Sequence, residues 1–369
     1  MRVLLAVPYC GGSHRAWAEG YRDASTHDVE VVAHEARFWK WRMQGAFVTL
    51  AEEARRLVES AGPFDVIVGT STLHGAAFLG ALGASRAGSA FVVYMHENQL
   101  TYPLSPLDRE DETYAMINWA SMTVADAVIF NSNHHLESWF EAVVGFTRRF
   151  PDHTHTHLIE SVAARSSVLP VGVDLGRIDP PGSRSGGTTR ILWNHRWDHD
   201  KGPDDLVDFA VGLVASGADF ELAVCGEQFV SPPAAFERLP ALLSDRLVHF
   251  GHADEMRYVE LLRSADVVVS TARQEFFGVA ITEAVYAGAF PVLPNRLVYP
   301  ERIPERHHLR CLYEDGAGMV ELVRWVIEHP KEAAGICAAL RAEMARFDWK
   351  VMAPAYDATL MGVAEGRRR

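Results

Sequence analysis

The sequence has little cysteine, no long apolar run and fewer basic than acidic residues, and each shortage excludes a class of protein. Its four cysteines, Cys10, Cys225, Cys311 and Cys337, are scattered without a C-x-x-C pair, which argues against a disulfide framework and a zinc ribbon. No stretch of about 18 apolar residues occurs, so no transmembrane helix is expected. The first apolar run, residues 3–7, is too short for the core of a signal peptide. We therefore expect a cytoplasmic protein.

The charge balance limits the possible partners. Lys and Arg number 35 against 48 Asp and Glu, which gives a net charge of −13. Such a surface repels anionic membranes and nucleic acids as a whole, so an RNA partner needs a local basic patch. The 369 residues are 48% hydrophobic and 22% charged, a composition typical of a globular chain. At roughly 100 to 200 residues per domain, two domains are expected.

Short β-branched apolar runs alternate with segments of helical period along the whole chain, which predicts βα units and parallel sheets covered on both faces. The predicted strands are residues 3–9, 30–34, 65–70, 90–96, 127–131, 167–173, 190–194, 220–225, 247–250, 267–270, 290–293 and 310–313. The predicted helices include residues 47–61, 110–124, 135–144, 203–215, 254–263, 278–287 and 332–346. The fold class is therefore α/β, with two doubly wound Rossmann-like domains facing a central cleft, where the carboxyl ends of the strands bind ligands.

The predicted domain boundary is a segment rich in glycine and proline. Residues 179–189 contain two prolines and three glycines and interrupt every periodic pattern, so they are assigned as a linker. The first domain is then residues 1–178 and the second is residues 190–350. Residues 351–369 are predicted to cross back to the first domain.

Two adjacent glycines follow the first predicted strand. Gly11 and Gly12 stand where the strand turns into a helix, so the backbone can approach a ligand and the helix amides can face an anion. A plain tight turn explains the pair equally well.

Two cations follow the first strand of the second half. Arg196 and Lys201 lie on the loop that leaves this strand, and a guanidinium with an ammonium makes a site for a diphosphate. The alternative is a pair of surface cations bound to Asp198, Asp200 or Asp204.

Two carboxylates stand eight positions apart across a predicted loop and helix. Glu275 and Glu283 are separated by roughly 800° of helical rotation, so one can reach sugar hydroxyls and the other a ribose. The amides of Phe277, Gly278 and Val279 begin the helix and are predicted to hold phosphate or sugar oxygens.

These three features together resemble the retaining GT-B glycosyltransferases of the family 4 type, over essentially the whole chain. Longer strings are similar to the tRNA-queuosine α-mannosyltransferase family: Tyr9-Cys-Gly-Gly-Ser-His14, Trp39-Lys-Trp-Arg42, His96-Glu-Asn-Gln-Leu-Thr-Tyr-Pro103, Pro151-Asp-His153, His195-Arg-Trp-Asp-His-Asp-Lys201, Glu275-Phe-Phe-Gly-Val-Ala280 and Leu297-Val-Tyr-Pro-Glu301. The resemblance implies a GT-B fold and transfer of mannose from GDP-mannose, with retention, to the cyclopentenediol of queuosine in tRNA. No cofactor is implied beyond this donor substrate.

The resemblance also assigns roles in donor binding. Arg196 and Lys201 bind the donor diphosphate, with Gly11 and Gly12 beside it. Glu283 holds the ribose. The transferred hexose is contacted by Glu275, by the amides of Phe277 and Gly278, and by His96. For His96 the alternative is a core histidine bonded to a backbone carbonyl. The catalytic residues are then His96, Arg196, Lys201 and Glu275.

Negative charge grows on the departing diphosphate as the anomeric bond breaks, so cations already aimed at it stabilise the transition state. We expect Arg196 and Lys201 to replace a metal. We expect no Asp-x-Asp run at a strand end in the cleft, and we therefore predict metal-independent transfer.

The acceptor is predicted to bind the first domain. Arg37-Phe-Trp-Lys-Trp-Arg42 combines cations with aromatic rings, as single-stranded RNA requires, and suits an anticodon loop. The alternative is that Phe38, Trp39 and Trp41 are core residues. Further phosphate contacts are predicted at Arg148-Arg149 and Arg367-Arg-Arg369. The predicted acceptor-binding residues are His14, Trp39, Lys40, Trp41, Arg42, Glu97, Asn98 and Gln99.

Two weaker features remain. His153-Thr-His-Thr-His157 has three alternating histidines, but without neighbouring Cys or carboxylate ligands a solvent loop is favoured over a metal site. Glu227 follows the strand that ends at Cys225 and either reaches the nucleotide base or caps a loop.

Two other functions stay open at this stage. One is a family 4 type glycosyltransferase with another nucleotide sugar and a small-molecule or lipid acceptor, which the net charge of −13 favours over RNA. The other is a nucleotide-sugar or RNA-binding protein without turnover. The sequence does not fix the oligomeric state.

Overall fold

In a computed structural model that describes residues 1–86, 88–103, 111–179, 187–227 and 232–368, the chain forms two compact units. The N-terminal unit consists of Met1–Val173 and Trp349–Arg369, and the C-terminal unit of Asp174–Asp348. The division falls before the segment 179–189 that the sequence assigns as the linker. Residues 180–186 of that segment lie outside the described residues.

The N-terminal unit is built on a six-stranded parallel sheet in the order β2-β1-β3-β4-β5-β6. Its strands are β1 (Arg2–Cys10), β2 (Asp28–Glu35), β3 (Val66–Thr70), β4 (Ala90–Met95), β5 (Ala127–Phe130) and β6 (Ser166–Val168). The apolar run at residues 3–7 is fully buried in β1, since a parallel strand is covered on both faces. The strand order reverses between β1 and β3, which is where doubly wound sheets bind ligands.

The helices of the N-terminal unit cover both faces of this sheet and include one from the end of the chain. They are α1 (Gly12–Ala24), α2 (Trp39–Gly45), α3 (Phe47–Ala61), α4 (Gly75–Leu82), α5 (Thr113–Thr123), α6 (Asn133–Thr147), α7 (Thr156–Ala164) and α16 (Trp349–Arg368). The chain crosses back through α16, which packs on α1. Trp17 Nε1 donates to the Tyr356 hydroxyl at 3.0 Å, and the Tyr21 hydroxyl donates to Asp357 at 2.9 Å.

The C-terminal unit has a second six-stranded parallel sheet in the order β12-β11-β10-β7-β8-β9. Its strands are β7 (Thr189–Trp193), β8 (Phe220–Cys225), β9 (Leu247–Gly251), β10 (Val267–Val269), β11 (Phe290–Pro294) and β12 (Leu312–Tyr313). Its helices are α8 (Pro203–Ala215), α9 (Leu239–Leu243), α10 (Glu255–Ser264), α11 (Val279–Ala287), α12 (Tyr299–Arg302), α13 (His308–Cys311), α14 (Gly316–Glu328) and α15 (Pro330–Met344). The two sheets confirm the predicted fold class of two doubly wound Rossmann-like domains.

The differences from the predicted elements are local. Residues 310–311 were predicted as strand but end helix α13, so β12 is only two residues long. The loop predicted at the alternating histidines ends at His155, and His157 lies within α7. Helix α2 was not predicted because its seven residues are too few for a helical period to show.

Candidate functional site

The loop after β7 buries an ammonium group among acidic partners. Lys201 is 8% exposed, and its Nζ lies 2.7 Å from the Gln274 carbonyl oxygen, 3.0 Å from Asp200 Oδ2 and 3.3 Å from Glu275 Oε2. Arg196, which is exposed, approaches the same Asp200 oxygen at 3.8 Å. We call Arg196, Asp200, Lys201 and Glu275 the Lys201 cluster. The cluster brings together three residues that were predicted to bind the sugar donor, namely Arg196, Lys201 and Glu275. Because Lys201 is buried within it, the interpretation of Lys201 as a surface cation is wrong.

The charges in the Lys201 cluster are fixed by their mutual attraction. Burial alone lowers the pKa of Lys201, but Glu275 and Asp200 outweigh it and raise the pKa above its ordinary value. Burial alone raises the pKa of Glu275, but Lys201, His195 and two backbone amides bring it down to about 2. Both groups are therefore charged at neutral pH.

Glu275 accepts hydrogen bonds from the amides that were predicted to hold a ligand. Its Oε1 accepts hydrogen bonds from the amides of Phe276, Phe277 and Gly278 at 3.2, 3.3 and 3.0 Å. The tight turn at Gly278, with φ at 84°, brings these amides together just before α11 begins at Val279. The expectation that the Phe277 and Gly278 amides stand open to phosphate or sugar oxygens is thus wrong for this conformation. A carboxylate at a helix N-terminus satisfies those donors itself.

Glu283 is also already bonded to protein donors. It is 5% exposed, pairs with the Arg177 guanidinium, and accepts from the Tyr258 hydroxyl at 2.8 Å. Asn194 Nδ2 lies 3.1 Å from the same hydroxyl. Burial and the charge of Glu283 raise the pKa of Tyr258 well above its ordinary value, so the phenol stays a donor. No motif in the sequence pointed to Arg177, which stands 106 positions before Glu283.

His195 is a buried neighbour that the sequence reasoning did not assign. Its Nε2 is hydrogen-bonded to Ser270 Oγ at 2.9 Å, and Ser270 Oγ is 2.7 Å from the Tyr299 hydroxyl. Burial and the adjacent Lys201 lower the pKa of His195 to about 3, so the imidazole is neutral. A usable signal was its position directly before Arg196 at the carboxyl end of β7.

Asp200 was considered only as a surface partner, yet it is 1% exposed and central. Its side chain faces Lys201 and Arg196, while its backbone oxygen accepts from the amides of Arg273 at 2.8 Å and Gln274 at 3.2 Å. Asp200 thereby ties the loop after β7 to the turn that presents Glu275.

An Asp-x-Asp run does stand in this loop, which corrects the expectation that none would. Within the part of the chain that the structure describes, Asp198, His199 and Asp200 are the one group whose ligand atoms lie close enough, within 4.8 Å, to hold a metal ion. Asp200 is already paired with two cations, and Asp198 Oδ1 lies 2.9 Å from His199 Nδ1. The three alternating histidines form no such group among these residues. His155 Nδ1 instead accepts from Trp119 Nε1 at 3.1 Å.

Two glycines with similar positive φ angles allow a matched test of the crowding next to Lys201. Gly202 and Gly217 have φ of 65° and 73°, but a Cβ at Gly202 would lie 2.3 Å from the Thr271 carbonyl oxygen, whereas at Gly217 it would meet no atom within 4 Å. Gly217→Ala is expected to cost about 1 kcal/mol of unfolding free energy, the left-handed penalty alone. Gly202→Ala is expected to cost about 2 kcal/mol more, because the backbone must also move. Urea unfolding measures both, and equal losses would contradict this packing.

In the N-terminal unit the predicted glycine turn is present. β1 ends at Cys10, Gly12 opens α1 with φ at 50°, and the amides of His14 and Arg15 bond to the Gly11 carbonyl at 3.1 and 3.4 Å. A Cβ at Gly11 would lie 2.4 Å from the Cβ of Ala36. Packing therefore requires glycine at position 11, and ligand binding by the turn stays a prediction.

His96, directly after β4, is not the satisfied core histidine of the alternative interpretation. Both ring nitrogens are shielded from solvent, and no described residue forms a hydrogen bond with either. The ring stacks on His14 at 4.5 Å and meets the ring of Trp17 at 4.6 Å and that of Tyr94 at 4.7 Å. Burial lowers the pKa of His96 well below its ordinary value. A neutral imidazole with two unsatisfied nitrogens needs a partner, which a bound ligand can supply.

The polar run after His96 is largely engaged within its own loop. Asn98 is fully buried, and its side-chain oxygen accepts from the amides of Leu100 and Thr101 at 3.0 and 2.9 Å. Gln99 Nε2 donates to Glu97 Oε1 at 3.4 Å. Asn98 therefore shapes the loop, while acceptor contact by Glu97, Asn98 or Gln99 stays a prediction.

The aromatic cluster on α2 is on the surface, which excludes its interpretation as core. Phe38, Trp39 and Trp41 are 77%, 36% and 62% exposed. Lys40 Nζ lies 5.5 Å from the centre of the Trp39 ring, and that ring is 4.9 Å from the Tyr114 ring. Phe38 holds a left-handed φ of 54°, which costs a non-glycine residue about 1 kcal/mol. Folding thus leaves three rings in water beside a cation.

The remaining predicted contacts are exposed or already paired. Arg149 pairs with Glu112, and Arg367 pairs with Asp126. The Arg368 side chain and Arg369 lie outside the described residues. Glu227 is exposed, and its backbone oxygen accepts from the Trp197 amide at 3.0 Å.

Similarity to known proteins identifies the class and then the family. The structure resembles sucrose-phosphate synthase from Thermosynechococcus elongatus (TM-score 0.73, 16% identity, 99% of this chain and 100% of that one) and Anabaena HepE in complex with UDP (TM-score 0.72, 16% identity, 98% and 100%). The fold is therefore the two-domain, Rossmann-like GT-B fold, and residues 178–337 match the family model Glycosyl transferases group 1. The protein is a glycosyltransferase.

The first half of the chain defines the family more closely. Residues 2–173 match the model of the tRNA-queuosine alpha-mannosyltransferase N-terminal region. The tRNA-queuosine alpha-mannosyltransferase of Drosophila melanogaster is 33% identical over 315 residues, 83% of this chain and 82% of that protein. The chain belongs to the tRNA-queuosine alpha-mannosyltransferase family. A GDP-mannose-dependent alpha-(1-6)-phosphatidylinositol dimannoside mannosyltransferase of Mycobacterium tuberculosis is 28% identical over 214 residues, 56% of this chain and 55% of that protein.

Among the described residues, no helix has both the length and the apolar character needed to span a membrane.

Proposed function

We propose that this protein transfers mannose from GDP-mannose, with retention and without a metal ion, to the cyclopentenediol of queuosine in tRNA. The observation that carries the proposal is the Lys201 cluster, in which Asp200 and Glu275 hold the buried ammonium of Lys201 beside the carboxyl end of β7, in the unit that matches glycosyltransferases. The acceptor is supported by the family of the N-terminal unit and by the exposed rings of α2. GDP-mannose as donor is supported by the name of the mycobacterial relative.

In this proposal Lys201 and Arg196 hold the donor diphosphate. The bond between the anomeric carbon and the phosphate oxygen breaks, and its electron pair stays on the phosphate. An ammonium and a guanidinium already in place stabilise this growing charge more than they stabilise the ground state. Asp200 keeps the two cations close together before the donor binds, since it contacts both. Glu283, held by Arg177 and Tyr258, is positioned to accept from the ribose hydroxyls.

Glu275 is poorly suited to be a nucleophile or a base. One of its oxygens accepts from three amides, the other faces Lys201, and its pKa of about 2 makes it weakly basic. We assign it to orient Lys201 and to contact the hexose. The acceptor hydroxyl then attacks from the leaving-group face, its proton passes to the departing phosphate, and the anomeric configuration is retained.

His96 is assigned to the transferred sugar. Its neutral ring offers one donor and one acceptor, and neither nitrogen has a partner among the described residues. A sugar hydroxyl satisfies such a ring without a change in charge.

Two other functions explain the structure less well. Transfer to a small molecule or lipid would leave the exposed α2 rings without a role. Binding without turnover would leave the Lys201 cluster without a role.

Transfer is expected to continue at an unchanged rate after EDTA treatment. The acidic group at residues 198–200 is a poor cation site because Asp200 is already neutralised by Lys201 and Arg196. Initial rates with and without added Mg²⁺ or Mn²⁺ measure this. Loss of activity in EDTA that either ion restores would contradict metal independence.

The acceptor is tested with two otherwise identical tRNA preparations, one containing queuosine and one with guanine at that position. Radiolabelled mannose from GDP-mannose should enter only the first. Equal labelling of both, or labelling of neither, would remove queuosine as the acceptor. A panel of other nucleotide sugars in the same assay identifies the donor.

A further inference from the structure

The N-terminal unit contains a cavity that the proposed donor and acceptor residues do not use. It has a volume of about 480 Å³ and is lined by residues of α2, α5 and α6 and of the segments next to them, including His74 directly before α4. The lining residues that carry the argument are Gln44, His74, Glu112, Met116, Phe146 and Phe150. This volume lies within the range of small-molecule sites and accommodates one nucleoside.

The cavity offers hydrogen-bonding groups of both kinds. His74 Nδ1 accepts from the Ala77 amide at 3.4 Å, and burial lowers the pKa of His74, so the ring proton is on Nε2 and this atom is a donor. Gln44 Nε2 donates to the Tyr114 hydroxyl at 3.2 Å, which leaves the amide oxygen as an acceptor. Glu112 adds a carboxylate, one of whose oxygens is paired with Arg149. The edge of a nucleobase needs this mixture of donors and acceptors.

The other walls are aromatic and apolar. Phe146 is buried, its ring centre is 5.4 Å from that of Phe150, and Met116 and Ile117 of α5 complete the lining. Aromatic and apolar walls bind the faces of a base, and such stacking does not depend on which base it is.

The cavity borders the aromatic and basic surface of α2. Gln44 belongs to α2 and is bonded to Tyr114, the residue whose ring contacts Trp39. On the other side, the exposed Arg148 follows α6, which carries Phe146. An RNA strand that stacks on Trp39 thus has a pocket for a base beside it and a cation next to α6 for a phosphate.

We infer that this cavity binds one unstacked nucleobase of the acceptor RNA, a neighbour of the modified nucleotide and not the modified nucleotide itself. The inference rests on the proposed function, since it takes RNA as the acceptor. Neither His96 nor His14 lines the cavity, so its occupant is separate from the sugar-transfer residues. A base bound in this pocket would fix the register of the RNA loop on the protein.

The test couples a change in the cavity to a change in the RNA. Ala120 lines the cavity on α5, and Ala120→Phe fills it. Anticodon stem-loop RNAs, each lacking one loop base, are compared with the intact stem-loop in binding to wild type and to this variant, without donor. For wild type, loss of one base other than queuosine should weaken binding about fivefold or more. For Ala120→Phe the same loss should have no further effect.

The matched control is Val124→Phe, which adds the same ring at the exposed residue directly after α5, outside the cavity lining. It should keep the wild-type response to every missing base. If Ala120→Phe unfolds, Phe150→Ala removes one wall instead and should abolish the same response.

Three results would overturn the inference. The first is that removal of a base weakens binding equally in wild type and in all variants, and the second is that Ala120→Phe changes only the effect of removing queuosine. The third is that free nucleoside monophosphates displace the intact stem-loop with an affinity equal to that of the stem-loop. Failure of the proposed function looks different, because wild type would then not bind the intact stem-loop at all.

Discussion

Replacing Lys201 by Gln is expected to lower the rate of mannose transfer at least about a hundredfold. The substitution keeps a polar side chain, slightly shorter than that of lysine, but removes the ammonium that faces Asp200 and Glu275, and with it a charge aimed at the diphosphate. Loss of one preorganised donor to a developing anion typically costs about 10² to 10³ in turnover. Steady-state kinetics with saturating GDP-mannose measures it. Turnover near that of wild type would remove Lys201 from the mechanism.

The same substitution also destabilises the fold, and a second change separates the two effects. Lys201→Gln leaves the buried Asp200 and the half-buried Glu275 as carboxylates without their ammonium, which costs about 3 kcal/mol of unfolding free energy. Adding Asp200→Asn removes one of those charges. The double variant should regain much of the stability and none of the activity. Recovery of both together would mean that Lys201 is only structural.

The matched control for the charge loss is Arg190→Gln, which breaks a partly exposed pair with Glu221 on β7 and β8 of the same unit. Its activity should be that of wild type.

The pH dependence of stability follows from the pKa of about 2 for Glu275, which is lower than in the unfolded chain. Ionised Glu275 therefore adds to the free energy of unfolding at pH values above its unfolded pKa of about 4.3. This contribution is lost as the pH falls to about 2, because the carboxylate becomes protonated in the folded protein.

Replacing both Trp39 and Trp41 by Ala is expected to weaken tRNA binding about 10- to 100-fold and to leave binding of GDP-mannose unchanged. Both rings are exposed on α2, and each base stacked on an aromatic ring contributes about 1 to 3 kcal/mol. Fluorescence anisotropy with a labelled stem-loop measures RNA affinity, and calorimetry measures donor affinity. Since the rings carry no charge, the salt dependence of RNA binding should persist.

The control for this variant is Leu309→Ala, which removes a side chain that is 91% exposed in the C-terminal unit. Its RNA affinity should be that of wild type. Unchanged affinity in the Trp39 and Trp41 variant would place the acceptor on a different surface of the protein.

The sequence predicted the two sheets because their strands are buried on both faces and stand out as short apolar β-branched runs. It placed Lys201 and Glu275 in one donor site through the family resemblance, and the structure brings them together because each follows a strand of the same sheet. The sheets needed only the local pattern, whereas the shared site needed the longer motifs.

The sequence did not predict contacts between segments that are far apart in the chain. The pairing of Arg177 with Glu283 joins two parts of the chain that share no motif. The capture of three amides by Glu275 depends on the turn at Gly278, whose geometry allows one carboxylate to reach all of them. The exposure of Trp39 and Trp41 was equally hidden, since tryptophans in so short a helix are compatible with core or surface.

The central claim is mannose transfer to queuosine, and nucleoside mass spectrometry tests it most directly. Queuosine-containing tRNA is incubated with the protein and GDP-mannose, digested to nucleosides and compared with a reaction that contains the Lys201→Gln and Asp200→Asn double variant. The account predicts that queuosine gains the mass of one hexose with wild type only, and that an α-mannosidase removes it. Queuosine of unchanged mass in the wild-type reaction would contradict the account.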